Sequence, residues 1–186
     1  PQLKEALFTN FKGDHTPCVL MSAYGNRDFD DTLAQMKDIL EARGFYCIGA
    51  IAPIIPHIYS EKLGADRPNA EDEKVFRQFA VTVKQRLEEG LEASLMIPGN
   101  PKPEPKTMKP VVHYFDETKC KGCQACVQKC PTSAIDKDTY QIKEEFCVGC
   151  LRCERVCPGG ARSSDYESVK KYLEDNFCHP KEVRWY

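Results

Sequence analysis

Cys120-Lys121-Gly122-Cys123-Gln124-Ala125-Cys126-Val127-Gln128-Lys129-Cys130-Pro131 and Cys147-Val148-Gly149-Cys150-Leu151-Arg152-Cys153-Glu154-Arg155-Val156-Cys157-Pro158 are two copies of one spacing, C-x2-C-x2-C-x3-C-P. They hold eight of the eleven cysteines in the chain, and only Cys18, Cys47 and Cys178 lie elsewhere. Three cysteines at two-residue intervals can curl around one face of a soft-metal group, while the fourth ligand must arrive from another part of the chain. The competing reading is structural zinc, which C-x2-C pairs also build. Zinc takes two such pairs across a longer loop, and the third cysteine of each run would be a surplus thiol in a tetrahedral site. A disulfide framework would call for an oxidising compartment.

The doubled run resembles the bacterial-type ferredoxins, which wrap two [4Fe–4S] clusters with this motif and use the fourth cysteine of each run on the other cluster. That resemblance implies one cluster on Cys120, Cys123, Cys126 and Cys157, and a second on Cys147, Cys150, Cys153 and Cys130. Pro131 and Pro158 would fix the backbone beside each remote ligand. Gly122 and Gly149 would let backbone N–H groups approach the cluster sulfides. Val127, Ile135, Ile142, Val148 and Val156 are candidates to shield the iron from water. Lys121, Lys129, Arg152 and Arg155 place positive charge beside the cysteines, where it would favour a reduced cluster, dock an acidic partner, or simply face solvent.

The 186 residues are 41% hydrophobic and 29% charged, a globular composition with room for two small domains. With 26 basic and 28 acidic residues the formal charge is −2, and nucleic acid is not an expected partner. Two clusters with their thiolates would bring the holoprotein to about −6. No apolar run approaches the ~18 residues that span a bilayer, so no membrane partner is expected. The opening Pro1-Gln2-Leu3-Lys4-Glu5 has neither a basic n-region nor an apolar signal core, and the expected compartment is the reducing cytoplasm. A start at Pro1 raises the expectation that upstream residues belong to the natural chain.

Before the cysteines the pattern alternates helix and strand. Leu3, Ala6, Leu7 and Phe11 suit one face of a short helix, and Pro17 to Met21 reads as a buried strand. Ser22 to Asn26 reads as a turn, Asp28 to Arg43 as an amphipathic helix closed by Gly44, and Phe45 to Ala52 as a second buried strand. Asn69 is a good N-cap for a helix reaching Gly90, with Val75, Phe76, Phe79, Ala80, Val83 and Leu87 inward. This order predicts a parallel βαβ unit. Two parallel strands leave an open edge, hence the expectation of a homo-oligomer or a place in a larger complex.

The prolines between Ile97 and Pro110 predict a semi-rigid linker. Ser164 would cap a closing helix over 165–176, with Tyr166, Val169, Leu173 and Phe177 on one side, and the aromatic tail Val183-Arg184-Trp185-Tyr186 would dock onto something. Cys18 and Cys47 are expected as core residues and Cys178 beside His179 as a packed tail. His15, His57 and His113 are expected to have no catalytic role.

The strand Thr16 to Ala23, the turn Tyr24-Gly25-Asn26-Arg27-Asp28, the following helix and strand, and the Pro-rich passage into the cysteine runs together resemble the flavodoxin–ferredoxin fusion proteins of anaerobic bacteria and archaea. The fold implied is α/β, a partial flavodoxin-like parallel sheet, plus an α+β dicluster ferredoxin domain. Its divisions would be 1–95 for the C-terminal half of the flavodoxin-like domain, 96–112 for the linker, 113–163 for the ferredoxin domain, and 164–186 for the closing helix and tail. The resemblance implies FMN, with Tyr24, Gly25 and Asn26 in a loop flanking its ring and Asp28 an acidic residue of that loop. Segments matching the first three strands and the phosphate loop are not in this sequence, and FMN is expected of a longer chain that supplies them. The expected activity is electron transfer with a redox protein as donor or acceptor. A flavin-dependent reductase with an iron–sulfur relay and an iron–sulfur subunit of a larger complex are the alternatives.

Overall fold

A computed structural model describes residues 8–104 and 111–186. In chain order the elements are β1 (Thr16–Met21), α1 (Thr32–Glu41), β2 (Phe45–Ala52), α2 (Ala70–Glu88), β3 (Val112–Phe115), α3 (Ala125–Gln128), α4 (Arg152–Arg155), β4 (Arg162–Asp165), α5 (Glu167–Phe177) and β5 (Arg184–Trp185). They form two units, Pro1–Lys106 with Leu173–Tyr186, and Thr107–Tyr172. The second unit is therefore inserted, in sequence, into the first.

The first unit is a small mixed α/β structure. β1 and β2 are parallel, with Thr16 opposite Phe45 and Met21 opposite Ile51, and the register shifts after Cys18. The alternation of the strands divides the core. Leu20, Cys47, Ala50 and Ala52 pack with Leu33 and Leu40 of α1, while Ile51 packs with Phe79 of α2 and Val183. Gly49 also faces α2, where an added Cβ would stand 2.6 Å from a methyl of Val83 and 3.1 Å from the Phe79 ring.

α1 is shorter than the apolar spacing suggests. The Asp28 carboxylate accepts the Asp30 N–H (3.1 Å), which makes a turn, and Phe29 enters the core ahead of the helix. α2 begins at the expected cap. Asn69 accepts the N–H of Asp72 (3.1 Å) while Asp72 accepts that of Asn69 (2.9 Å), and Asp72 is also ion-paired with Arg67. Its inner face is narrower than its apolar residues imply, since Ala80 and Leu87 are exposed.

The tail supplies a strand. β5 runs antiparallel to β2, with Ile51 opposite Trp185 and Ala52 opposite Arg184, so the sheet order is β1-β2-β5 and the sheet is mixed rather than purely parallel. Among the described residues β1 pairs only with β2, and its Val19 and Met21 are exposed. The expected linker is partly core. Ile97 is buried against the α1 side of the sheet, and the Asn100 N–H donates to Asp31 (2.9 Å). Pro105, Pro110, and the Leu3, Ala6 and Leu7 of the expected first helix lie outside the described residues.

In the second unit β3 and β4 pair antiparallel, with His113 opposite Ser164 and Phe115 opposite Arg162. The rest repeats at an offset of 27 residues, from Cys120 to Cys147. Single 3-10 turns at Glu117–Lys119 and Glu144–Phe146 lead into the cysteine runs, and the one-turn helices α3 and α4 lie inside them. Left-handed backbone recurs at the same offset, at Gly122 and Gly149 (φ 64° and 63°), Gln124 and Leu151 (57° and 52°), and Ser133 and Gly160 (52° and 62°). Only glycine takes such angles without steric cost, so the non-glycine positions are held there by their surroundings.

Candidate metal centre

The repeated turns gather the eight thiols of the cysteine runs around two cavities. Cys120, Cys123 and Cys126 line one together with Cys157. Cys147, Cys150 and Cys153 line the other together with Cys130. Among the described residues no three His, Cys, Asp or Glu side chains converge to hold a single ion. The thiols stand around a space instead of meeting at a point.

Backbone geometry directs N–H donors at the two remote cysteines and favours their thiolate form. After Pro131 the chain turns back through Ser133, and the Ala134 N–H donates to Cys130 Sγ (3.3 Å). After Pro158 it turns back through Gly160, and the Ala161 N–H donates to Cys157 Sγ (3.2 Å). Burial alone would push both thiols up. The N–H groups of Thr132, Ala134 and Ile135, with the Thr132 hydroxyl, outweigh it and hold Cys130 below the ordinary thiol range. Those of Ala161, Gly159, Arg162 and Gly160 do the same for Cys157. Cys153 behaves differently: its burial dominates and pushes the thiol up, with Arg162 acting in the opposite direction.

Two side chains that sequence spacing did not single out stand at these cavities. His113 Nε2 lies 3.4 Å from Cys147 Sγ, and its Nδ1 lies 2.8 Å from Ser164 Oγ. Burial, and to a lesser degree Arg162, pull the His113 imidazole below its usual range. Arg162 lines the first cavity and is 5% exposed. Its guanidinium lies 4.7 Å from the Phe115 ring centroid and donates to the Tyr140 carbonyl, while its buried Nε has no hydrogen-bond partner. A buried cation with an unmet donor, beside four thiols, suits an anionic group bound through sulfur. The residues present therefore fit an iron–sulfur cluster. The basic residues named from the sequence, Lys121, Lys129, Arg152 and Arg155, are all exposed. Nothing in the motif marks Arg162 or His113, because both reach the cavities through β-strand pairing outside the cysteine runs.

Of the shielding candidates, Ile135, Ile142 and Val148 line the second cavity. Val148 is also 56% exposed, so it forms part of a rim. Cys123 is the exposed member of the eight thiols.

The flavin-loop residues are engaged within the first unit. Tyr24 is buried, with its ring edge-on to Phe29 at 5.5 Å, and its backbone bridges Ile54. Gly25 lies so close to His57 that an added Cβ would stand 2.7 Å from the His57 Cα. Asn26 donates its amide to the carbonyls of Phe177 (2.7 Å) and His179 (2.9 Å), fastening the tail. Cys18 and Cys47 face each other across β1 and β2, and Cys178 is exposed.

Residues 119–161 match the family model of the 4Fe-4S dicluster domain. No curated protein matches the chain. This part of the molecule is thus an iron–sulfur domain of the ferredoxin type, a class that handles single electrons. Among the described residues no helix is long and apolar enough to cross a membrane.

Proposed function

We propose that this chain transfers single electrons through two [4Fe–4S] clusters, one held by Cys120, Cys123, Cys126 and Cys157 and the other by Cys147, Cys150, Cys153 and Cys130. The observation that supports this reading is that each set of four rings one cavity. When bound, each cluster supplies a site that takes up and releases one electron. The chain's own part is to hold thiolates, direct N–H groups at them and present charge. Cys130 and Cys157 are stabilised as thiolates by the N–H groups of the turns that follow them, and the Arg162 guanidinium favours added negative charge on the wall of the first cavity. The exposed Cys123 is where a partner's redox centre would come nearest, which suits a redox protein as donor or acceptor.

The wider reading is exchange of these electrons with FMN. It draws support from the parallel β1-α1-β2 arrangement, which puts the Tyr24 loop at the carboxyl end of β1 as flavodoxin-like sheets do. With Tyr24 turned into the core, this loop would offer a flavin backbone groups and the residues around it, not a stacking ring. A flavin-dependent reductase, or an iron–sulfur subunit of a larger assembly, shares the same cluster chemistry.

Anaerobic purification followed by iron, acid-labile sulfide and flavin analysis tests all of these. About eight iron and eight sulfide per chain are expected for two clusters. Bound FMN would extend the reading to flavin exchange, and FMN-dependent turnover of a quinone or nitro compound would favour the reductase. Zinc in place of iron would overturn the proposal.

A further inference from the structure

The two cavities are built by one repeated backbone, yet three wall positions differ in chemistry. Phe115, Tyr140 and Arg162 line the first. Their partners at the 27-residue offset, Ile142, His113 and Ile135, line the second. At these three positions the second cavity is the more apolar, with His113 as the polar group; Thr132 and Arg152 also line it.

We propose that Ser164 and His113 form a hydrogen-bond relay onto the Cys147 thiolate, which raises the reduction potential of the cluster in the second cavity. The proposal rests on the iron–sulfur reading above. A ligating thiolate can only accept, so the contact of 3.4 Å requires the proton on His113 Nε2. Nδ1 is then an acceptor, and the Ser164 hydroxyl at 2.8 Å donates to it. Strand register maintains the relay, because His113 and Ser164 are direct partners across β3 and β4. Hydrogen bonds to cluster sulfurs tune potential, since a donor stabilises the more negative, reduced state more than the oxidised one. In the first cavity the corresponding position is Tyr140, whose ring lies 5.8 Å from that of Phe115. The electron-accepting sites are therefore unequal by construction, and His113 is a positioning residue for charge on one of them.

The test is an anaerobic redox titration of the full holoprotein, followed by electron paramagnetic resonance, with iron and sulfide measured on every sample. In His113→Phe, with metal content unchanged, one of two one-electron steps shifts to lower potential by about tenfold in its equilibrium constant, ~59 mV, and the other stays. His113→Gln, which can still present an N–H, recovers most of the shift. Ser164→Ala moves the same step in the same direction by less, and it decides the matter if His113→Phe fails to assemble. Both steps unmoved, or both lowered equally, in a variant with full iron and sulfide would overturn the relay while leaving the clusters in place. Wild-type protein without iron and sulfide would overturn the underlying reading and the relay with it.

Discussion

Cys18 and Cys157 carry the same side chain into the two units and meet opposite fates. In the α/β unit Cys18 lies against Cys47, and hydrogen bonding with that neighbour, followed by burial, pushes its thiol up. In the dicluster unit backbone N–H groups overcome the effect of burial and bring Cys157 down. The difference lies in what surrounds each sulfur. Cys18 meets another thiol across the β1-β2 pair, while the Cys47 N–H donates to Ser94 Oγ (2.9 Å) and Cys47 Sγ donates to the Gly49 carbonyl (3.3 Å). In the turns after Pro131 and Pro158 the Ala134 and Ala161 N–H groups donate to the sulfurs of Cys130 and Cys157 instead. Backbone donors favour the thiolate form at Cys157, whereas the strand pair buries two thiols against each other, Cys18 pushed up and Cys47 brought down by their mutual hydrogen bond.

The sharpest way to break this comparison is to exchange cysteines for serine. Cys157→Ser is expected to lose about four of some eight irons per chain, and Cys47→Ser to lose none while lowering the unfolding midpoint. Equal iron loss in both, by metal analysis, would remove the distinction.

A smaller effect is expected from the ion pair that anchors α2. Arg67 and Asp72 are largely buried together, and Asp72→Ala should cost about 3 kcal/mol in chemical denaturation by leaving a guanidinium unpaired. Burial would raise the Asp72 carboxyl, but Arg67 and the Asn69 N–H hold it below the usual carboxylate range. Its contribution is therefore full above about pH 3.9, the value for an unfolded aspartate, and is lost as pH falls from there through the lower folded value. Acid titration of wild type against Asp72→Asn should show the variant lacking this component.

Next comes the tail. Asn26→Ala removes both amide contacts to the Phe177 and His179 carbonyls and should cost about 2 kcal/mol. Faster hydrogen exchange at Ala50, whose N–H donates to Tyr186 O, would report the loosened strand. Smallest of all, Leu87→Ala should change stability by no more than about 0.5 kcal/mol, because that side chain faces solvent.

Much of this was legible along the chain. The strand-helix-strand pattern, the Asn69 cap and the doubled cysteine spacing are local signals, each complete within a few turns of backbone. Leu87 and Ala80 fall on the apolar stripe of α2 yet are exposed, because helical spacing marks apolar residues without showing how wide a surface the sheet offers them. Ile97 lies in a proline-rich passage that signals extended chain, and proline does not reveal whether an adjacent apolar residue finds a pocket. The antiparallel strand at Arg184–Trp185 escapes the sequence pattern because two residues are too short to show a period.

The spacing by itself determined that this chain has thiols in two equivalent runs, because three cysteines within seven residues can face one point only through local turns. It also determined that β1, α1, β2 and α2 of the α/β unit exist, because apolar periodicity selects helix or strand there. The grouping of Cys157 with the first run was already implied by the resemblance; only the tertiary structure decided that Arg162 lines one cavity and His113 the other, and that the tail closes an edge of β2. Those relations join residues far apart in sequence, such as Asn26 and Phe177, and no local preference encodes a contact whose partners meet only when the whole unit has packed.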